Sequence, residues 1–184
     1  MTELKVARLG NPVLRQIARP VDLKELSEPG GGIQSLIDDM ADTMRKEGGV
    51  GLAAPQVSRS VKIVIIECRE NKRYPGRGEI PLTALVNPSI THYSEETRLG
   101  WESCLSLIDF RGLVPRSTQV TVEAYTREGR KVVIEAEGFL AIVLQHEIDH
   151  LNGIVFLDRM QDFTKLAYQE EFETYWMNEE MIEA

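Results

Sequence analysis

The sequence predicts an α+β domain in which antiparallel strands surround a central buried helix, with a further helix at the C-terminus. The first observation is an apolar run of helical length over residues 139–151. The second is a hairpin pattern, because apolar and polar residues alternate over 119–125 and 131–136 on either side of a Glu-Gly pair. The third is a terminal stretch, residues 163–181, whose aromatic and aliphatic residues can pack one face of a helix against a core. The chain has 184 residues and is 42% hydrophobic, so we expect one globular domain with a single core over residues 1–184.

The central helix carries His146, Glu147 and His150 in the order H-E-x-x-H. Positions four apart lie on the same face of a helix, so the two imidazoles can bind one metal ion. Glu147 lies beside them and can reach a water molecule at that metal without being a ligand. The alternative is a core helix with inert, hydrogen-bonded histidines. Burial of three adjacent ionisable groups is costly and brings no structural gain, so we interpret the helix as a metal-binding element.

Local patterns place the other elements along the chain. Residues 1–32 contain three prolines and a Gly-Gly-Gly run, which predict an irregular arm with short helical pieces. Apolar residues recur at helical spacing over 33–44 and predict an amphipathic helix that ends at Gly48 and Gly49. The remaining predictions are a buried strand over 62–68, a charged loop over 71–81, strands over 84–86 and 92–98 interrupted at Asn87-Pro88, and a short strand over 154–156.

Composition restricts the class of function and the compartment. The formal net charge of -8 disfavours non-specific binding to nucleic acids or to anionic membranes. No stretch of 18 apolar residues is present, and the first ten residues lack the layout of a secretory signal. The two cysteines, Cys68 and Cys104, are too few for a disulfide framework. We therefore expect a cytoplasmic protein with no membrane segment and no direct contact with nucleic acids.

Two histidines need a third protein ligand to hold a catalytic metal. One class of zinc peptidase places a third histidine six residues after the second, but that position is Phe156 here. Other peptidases use a downstream glutamate, and the sequence offers Glu170, Glu171 and Glu173. Cys104 is a competing candidate, because a cation keeps a soft thiolate deprotonated. Residue spacing alone leaves the choice between these glutamates and Cys104 open.

Three motifs in order make the chain resemble the peptide deformylases. They are GVGLAAPQ at residues 49–56, ESCLS at 102–106 and QHEIDH at 145–150, and LGNPVLR at 9–15 and RGLVPR at 111–116 extend the similarity. The second motif usually reads E-G-C-L-S in the family, so Ser103 is a departure. Its neighbours match, and we expect a small backbone adjustment with the ligand retained.

The resemblance implies a set of roles for the motif residues. Cys104, His146 and His150 would bind one divalent metal, typically Fe²⁺ in the family and replaceable by Zn²⁺, Ni²⁺ or Co²⁺. Glu147 would take a proton from the attacking water and pass it to the departing amine. The side-chain amide of Gln56 and the backbone N–H of Leu105 would stabilise the oxyanion.

Other residues are candidates for substrate binding. Phe139, Ile142 and Val143 lie one and two turns before His146 on its face, so they can line an apolar pocket for a methionine side chain. An extended peptide could pair as an added strand with the backbone at Val50, Gly51, Gly100 and Glu102. By resemblance, Arg111 lies near this pocket or else on the surface, and Asp149 pairs with an arginine such as Arg116.

The function implied is hydrolysis of the N-formyl group from the initiator methionine of new polypeptides, by a monomeric enzyme. The alternatives are a metallopeptidase with a carboxylate third ligand and a non-enzymatic metal- or peptide-binding protein. Deformylases act as chains leave the ribosome, some by docking through a basic C-terminal helix. Residues 161–184 here contain seven acidic residues and one basic residue, Lys165. We therefore expect transient proximity to the ribosome without docking through this tail.

Overall fold

The computed structural model describes residues 4–27, 32–69 and 79–177. The described strands are β1 (Gly51–Ala53), β2 (Ile63–Cys68), β3 (Ile80–Tyr93), β4 (Thr97–Glu102), β5 (Phe110–Ser117), β6 (Gln119–Tyr125), β7 (Lys131–Glu137) and β8 (Leu166–Tyr168). The helices are α1 (Leu23–Ser27), α2 (Gly32–Lys46), α3 (Gly138–Leu151) and α4 (Gln169–Tyr175). None of the helices in these stretches is long and apolar enough to cross a membrane.

The strands form two antiparallel sheets. The larger has the order β1-β2-β3-β6-β7, and the smaller has the order β4-β5-β8. Helix α3 contacts strands of both sheets, and α4 contacts β5 and β8 of the smaller sheet. The predicted combination of antiparallel strands and a C-terminal helix is therefore confirmed. Edge strands β1 and β4 belong to different sheets, and both lead to residues that lie beside α3.

Strand β2 is buried on both faces, which explains its continuous apolar sequence. Ile63 and Ile65 pack in the cluster that includes the buried face of α2, whereas Val64 and Ile66 pack in the cluster around α3. Alternate side chains of a strand point to opposite faces, so one strand serves two cores. Each fully buried isoleucine contributes about 1.5–3 kcal/mol of transfer free energy. The larger sheet thus separates α2 from the helix with the H-E-x-x-H motif.

Several predicted elements are confirmed. The amphipathic helix is α2, the buried strand is β2, and the hairpin is β6 and β7 with Gln119 paired to Glu137 at its open end. The described part of the N-terminal arm has one 3₁₀ turn, Pro12–Arg15, and the five-residue α1. The apolar run is α3, where Gly138 has a φ of 57° and starts the helix directly after β7.

The predicted interruption at Asn87-Pro88 is wrong, because β3 continues through it. Asn87 has a φ of 52°, and the strand register shifts there. Its side chain binds a distant part of the backbone: Oδ1 accepts from the Val21 N–H at 2.8 Å, and Nδ2 donates to the Val21 carbonyl at 2.9 Å. The next strand is β4, not residues 92–98. Of the predicted loop over 71–81, residues 71–78 lie outside the described residues, and Ile80 and Pro81 belong to β3.

Strand β5 was not predicted, because it contains Gly112 and Pro115 and these residue types are uncommon in strands. Pro115 pairs with Leu99 in the β4–β5 ladder, and a Cβ at Gly112 would stand 2.6 Å from the Met160 sulfur. The glycine is required by the close packing of Met160 and Phe156 on that strand.

The C-terminal region is more broken than the predicted single helix over 163–181. A 3₁₀ turn, Phe163–Lys165, leads into β8, and the helix starts only at Gln169. Residues 178–181 of the prediction lie outside the described residues. The predicted strand over 154–156 is also wrong, since a 3₁₀ turn starts at Phe156. In both cases contacts with distant strands outweigh the local helix or strand preference.

Candidate metal centre and active site

Helix α3 presents His146 and His150 on one face, as their spacing requires. Their ring centroids lie 5.0 Å apart, and the two side chains are buried. Burial and the charge of His146 lower the pKa of His150 well below its usual value. A neutral imidazole is the form that binds a metal, so the site favours the ligand state of His150.

Cys104 reaches the same point from the smaller sheet. It follows β4 and precedes a 3₁₀ turn, Leu105–Leu107, and its Sγ lies 3.2 Å from Nε2 of His150. One ligand atom from each of Cys104, His146 and His150 lies within 4.8 Å of the others, and all three residues are buried. Ser103, which stands before the thiol in place of glycine, does not prevent this approach.

Glu102 orients His146 from the other side. Its Oε2 lies 2.7 Å from Nδ1 of His146, which leaves Nε2 for the cluster. Arg116 donates to both oxygens of this carboxylate, at 2.7 and 3.1 Å. Burial alone raises the pKa of Glu102, but His146 and Arg116 outweigh it and bring the value to about 2. Glu102 is therefore an ionised hydrogen-bond acceptor for the imidazole.

The ion-pair network continues from Arg116 to the surface. Arg116 donates to Asp149 at 2.6 Å, which confirms the predicted pairing. Arg159 donates to both oxygens of Asp149 at 3.0 and 2.6 Å, and 44% of its side chain is exposed. The sequence reasoning missed Arg159. The available signal was charge balance, since two buried carboxylates facing one arginine require a second cation.

Glu147 follows His146 directly on α3. The side chain is buried, and its Oε2 has no hydrogen-bond partner among the described residues. Burial raises the pKa of Glu147 to about 7, although the positive charge of His146 acts to lower it. A carboxylate with such a pKa can accept and return a proton near neutral pH. Gly51 of β1 is in contact with this carboxylate, and its lack of a side chain makes the contact sterically acceptable.

Gln56 is locked beside Cys104. Its Oε1 accepts from the Ala53 N–H at 2.8 Å, which turns the amide nitrogen toward Cys104 Sγ at 3.4 Å and Ser106 Oγ at 3.3 Å. Leu105, the other predicted oxyanion donor, follows Cys104 directly and is also buried. Ser106 was not singled out from the sequence, although it belongs to the ESCLS motif.

The predicted pocket residues lie on α3 as expected from their spacing. Phe139 and Ile142 are half-buried, and Val143 is buried, one to two turns before His146. The predicted strand-pairing residues divide between two edge strands. Gly51 is in β1 with Val50 just before it, and Gly100 and Glu102 are in β4.

Arg111 is buried, so the expected alternative of a surface position is wrong. It is 7% exposed, and its guanidinium carbon lies 5.6 Å from the centre of the Phe172 ring. It therefore lies beneath α4 and packs against an aromatic side chain.

The donor set suits a divalent transition metal. One thiolate and two imidazoles are ligands that Zn²⁺ and Fe²⁺ accept, and the three converge in a buried site. The glutamates considered as a third ligand, Glu170, Glu171 and Glu173, are exposed on α4. Phe156 is buried and stacks 6.4 Å from His146. Cys104 is thus the candidate third ligand that the described structure favours.

A helix with H-E-x-x-H, a candidate third ligand that follows a neighbouring strand and an unpartnered buried carboxylate are typical of metal-dependent hydrolases. The family model for polypeptide deformylases matches residues 3–166. The chain belongs to this family of enzymes, which remove the N-formyl group from nascent polypeptides in protein biosynthesis.

Individual relatives agree over most of the chain. Peptide deformylase 1 of Bordetella pertussis is 42% identical over 165 residues, which cover 90% of this chain and 92% of that protein. The crystal structure of a class I type b peptide deformylase from Acinetobacter baumannii, bound to Met-Ala-Ser, has a TM-score of 0.83 and 43% identity. The match with the Acinetobacter baumannii structure covers 86% of this chain and 99% of that chain. The peptide deformylase of Thermotoga maritima has a TM-score of 0.74 and 34% identity, over 88% of this chain and 100% of the other.

Proposed function

We propose that this site hydrolyses the formamide bond of N-formylmethionyl nascent peptides, with Cys104, His146 and His150 holding one divalent metal ion. The observation that carries the proposal is the convergence of these three buried ligands beside the unpartnered carboxylate of Glu147. Fe²⁺ is the proposed ion in the cell, by resemblance to the family, and Zn²⁺, Ni²⁺ or Co²⁺ suit the same donors. When bound, the ion supplies Lewis acidity and lowers the pKa of water.

Glu147 is the proposed general base and acid. It takes a proton from water as the oxygen attacks the formyl carbon, and it returns a proton to nitrogen as the C–N bond breaks. Water and formamide thus become formic acid, which ionises to formate, and a free amine. A pKa of about 7 suits both halves of this cycle.

Gln56 and Leu105 are the proposed oxyanion donors. The Gln56 amide nitrogen is already directed toward the ligand atom of Cys104, at 3.4 Å. The Leu105 backbone N–H belongs to the residue that directly follows this ligand. Donors fixed before the reaction stabilise developing charge without reorganising during it.

Substrate binding is assigned to three surfaces. The apolar face formed by Phe139, Ile142 and Val143 accepts the methionine side chain. The edges of β1 and β4 pair with the extended peptide through the backbone at Val50, Gly51, Gly100 and Glu102. Arg111, which is buried beside Phe172 beneath α4, is proposed to lie near this region and to contribute to substrate binding.

Residues 1–184 would form a single catalytic domain with α3 at its centre. One chain supplies all proposed catalytic and ligand residues, so we propose a monomer. Because its proposed substrates are newly made polypeptides, we propose a cytoplasmic location. The acidic C-terminal tail would not dock on ribosomal RNA, because phosphate contacts require Lys or Arg. Salt-sensitive ribosome binding that disappears on removal of this tail, residues 161–184, would contradict this last point.

The deciding experiment combines metal analysis with product analysis. Protein purified without oxygen should contain about one divalent metal per chain and release formate from formyl-Met-Ala-Ser. An endopeptidase would instead cleave an internal bond of an unformylated peptide. A non-enzymatic binder would retain metal or peptide without releasing formate.

A further inference from the structure

The C-terminal segment extends the smaller sheet beyond the part of the chain that the family model matches, which ends at residue 166. Strand β8 begins there and pairs with β5, with Leu166 opposite Gly112 and Tyr168 opposite Phe110. The Gln169 N–H then donates to the Asp109 carbonyl at 2.9 Å as α4 begins. The segment is therefore joined to the sheet that carries Glu102.

Three aromatic side chains join this segment to strand β4. The Trp101 ring centroid lies 5.0 Å from that of Phe172 and 5.8 Å from that of Trp176. Phe172 is 3% exposed, and Nζ of Lys165 lies 3.8 Å from the centre of the Trp176 ring. We call Trp101, Phe172 and Trp176 the aromatic clamp.

The clamp contacts the strand that leads to Cys104, one of the candidate metal ligands. Trp101 and Glu102 are neighbours in β4, so their side chains point to opposite faces. Trp101 faces α4, and Glu102 faces His146 at 2.7 Å. Strand β4 pairs with β5 along one edge, and its other edge pairs with no strand in the described part of the chain. Backbone bonds therefore hold β4 on one side only.

We propose that the aromatic clamp positions β4 for peptide binding, which makes Phe172 and Trp176 positioning residues for the substrate. The proposal rests on the proposed function, in which the peptide pairs with the free edge of β4. An edge strand that is already ordered does not lose conformational freedom when the peptide binds, so the clamp lowers the entropic cost of binding. Bond cleavage itself depends on Glu147, which the clamp does not touch.

Kinetics of the metal-loaded, full-length enzyme test whether the clamp affects peptide binding and leaves bond cleavage unchanged. Phe172→Ala should raise KM for formyl-Met-Ala-Ser about tenfold, with kcat changed less than about twofold and metal content unchanged. The matched control is Tyr175→Ala, since Tyr175 is on the same helix and 67% exposed. Phe172→Met should restore most of the affinity, because methionine refills an apolar site. Assays are run well below the unfolding temperature of each variant, so a folding defect does not enter KM.

A second measurement follows the clamp directly, because Trp101 and Trp176 are the only two tryptophans of the chain. In Trp176→Phe protein, Trp101 is the sole tryptophan fluorophore. Adding Phe172→Ala should increase acrylamide quenching of Trp101, and saturating Met-Ala-Ser should reverse part of that increase by reordering β4. Without Phe172→Ala, the peptide should change the quenching little.

The proposal is overturned if folded, metal-loaded Phe172→Ala keeps the KM of the unaltered enzyme, or if Met-Ala-Ser leaves the quenching of its Trp101 unchanged. The quenching measurement reports peptide binding and not turnover. It therefore decides on the clamp even in the case where formate release fails and the proposed function is rejected.

Discussion

Gly51 of β1 lies against Glu147 of α3 so closely that a Cβ on residue 51 would stand 2.7 Å from Cδ of the glutamate. Two non-bonded carbon atoms cannot stay this close, so one of the two groups would have to move. The carboxylate thus occupies the space that any side chain at residue 51 would need. The distance between an edge strand and the helix with the metal ligands is set by the absence of one methyl group.

Gly51→Ala should therefore displace the Glu147 carboxylate. We expect kcat/KM for formyl-Met-Ala-Ser to fall by about 10²-fold, the effect of misplacing a catalytic group by about 1 Å. The control is Gly32→Ala, where an added Cβ meets nothing within 4 Å. A Gly51→Ala enzyme with unchanged kcat/KM would show that the site tolerates the displacement.

Glu147→Gln should leave the metal bound and remove roughly 10² to 10⁴ of kcat, which is the usual contribution of a positioned acid-base group. Formate release and metal content are measured on the same preparation. Glu135→Gln serves as control, because Glu135 is exposed on β7. Near-normal turnover of Glu147→Gln would remove Glu147 from the mechanism.

Gln56→Ala should lower kcat by about 10² to 10³, as expected for loss of one oxyanion donor. The amide is 1% exposed and directed at Cys104, so truncation removes a preorganised group. Steady-state kinetics with a formyl peptide distinguish an oxyanion donor, whose loss lowers kcat, from a group that only binds substrate. An effect limited to KM would mean that Gln56 holds substrate and does not stabilise the oxyanion.

Glu102→Gln should weaken metal binding by about 10- to 100-fold, because the hydrogen bond that orients His146 loses its charge. Competition between the protein and a chelator for Co²⁺ or Zn²⁺ measures the affinity. The experiment is done below the unfolding temperature, since the variant also loses the ion pair with Arg116. Unchanged affinity would mean that His146 is held in place by packing alone.

The stability of the fold should depend on the ionisation of Glu67 in acid. Hydrogen bonds from Arg45 and Arg69 lower the pKa of this buried carboxyl below its usual value. A lowered folded-state pKa contributes stability above the unfolded value of about 4.3, and the contribution is lost as pH falls through the folded pKa. The sign therefore predicts protection at neutral pH and loss in acid.

Urea unfolding of Glu67→Gln tests this dependence. The deficit in unfolding free energy relative to the unaltered protein should be largest near pH 7 and shrink below about pH 4. The exposed Glu135→Gln again provides the control, with a small effect at both pH values. A deficit that is equal at pH 7 and pH 3.5 would assign the effect to packing and not to charge.

Local periodicity was sufficient to predict the elements whose partners are close in sequence. Helix α3 was identified from an apolar run with two histidines four apart, and the β6–β7 hairpin from alternation around a Glu-Gly turn. Both patterns follow from backbone geometry over a few residues, so they require no knowledge of the rest of the fold. The pair of histidine ligands was predictable for the same reason.

Elements that depend on distant strands were not determined by local sequence. Strand β8 forms because the edge of β5 offers hydrogen bonds, although residues 163–181 resemble one helix. Strand β3 continues through Asn87-Pro88 because Val21, far away in the chain, supplies hydrogen bonds to Asn87. The local sequence of one segment does not show which distant segment it will contact, so such elements cannot be predicted from it.

Local residue patterns were enough to predict α3 and its histidine pair, and resemblance to a family suggested Cys104 as the third ligand. The folded structure was needed to show that Cys104 lies 3.2 Å from His150, that Gly51 adjoins Glu147 and that Arg159 pairs with Asp149. The physical reason is that side chains on one helix have distances fixed by the helix itself. Distances between a helix, two sheet edges and a C-terminal segment arise only when their shared core packs.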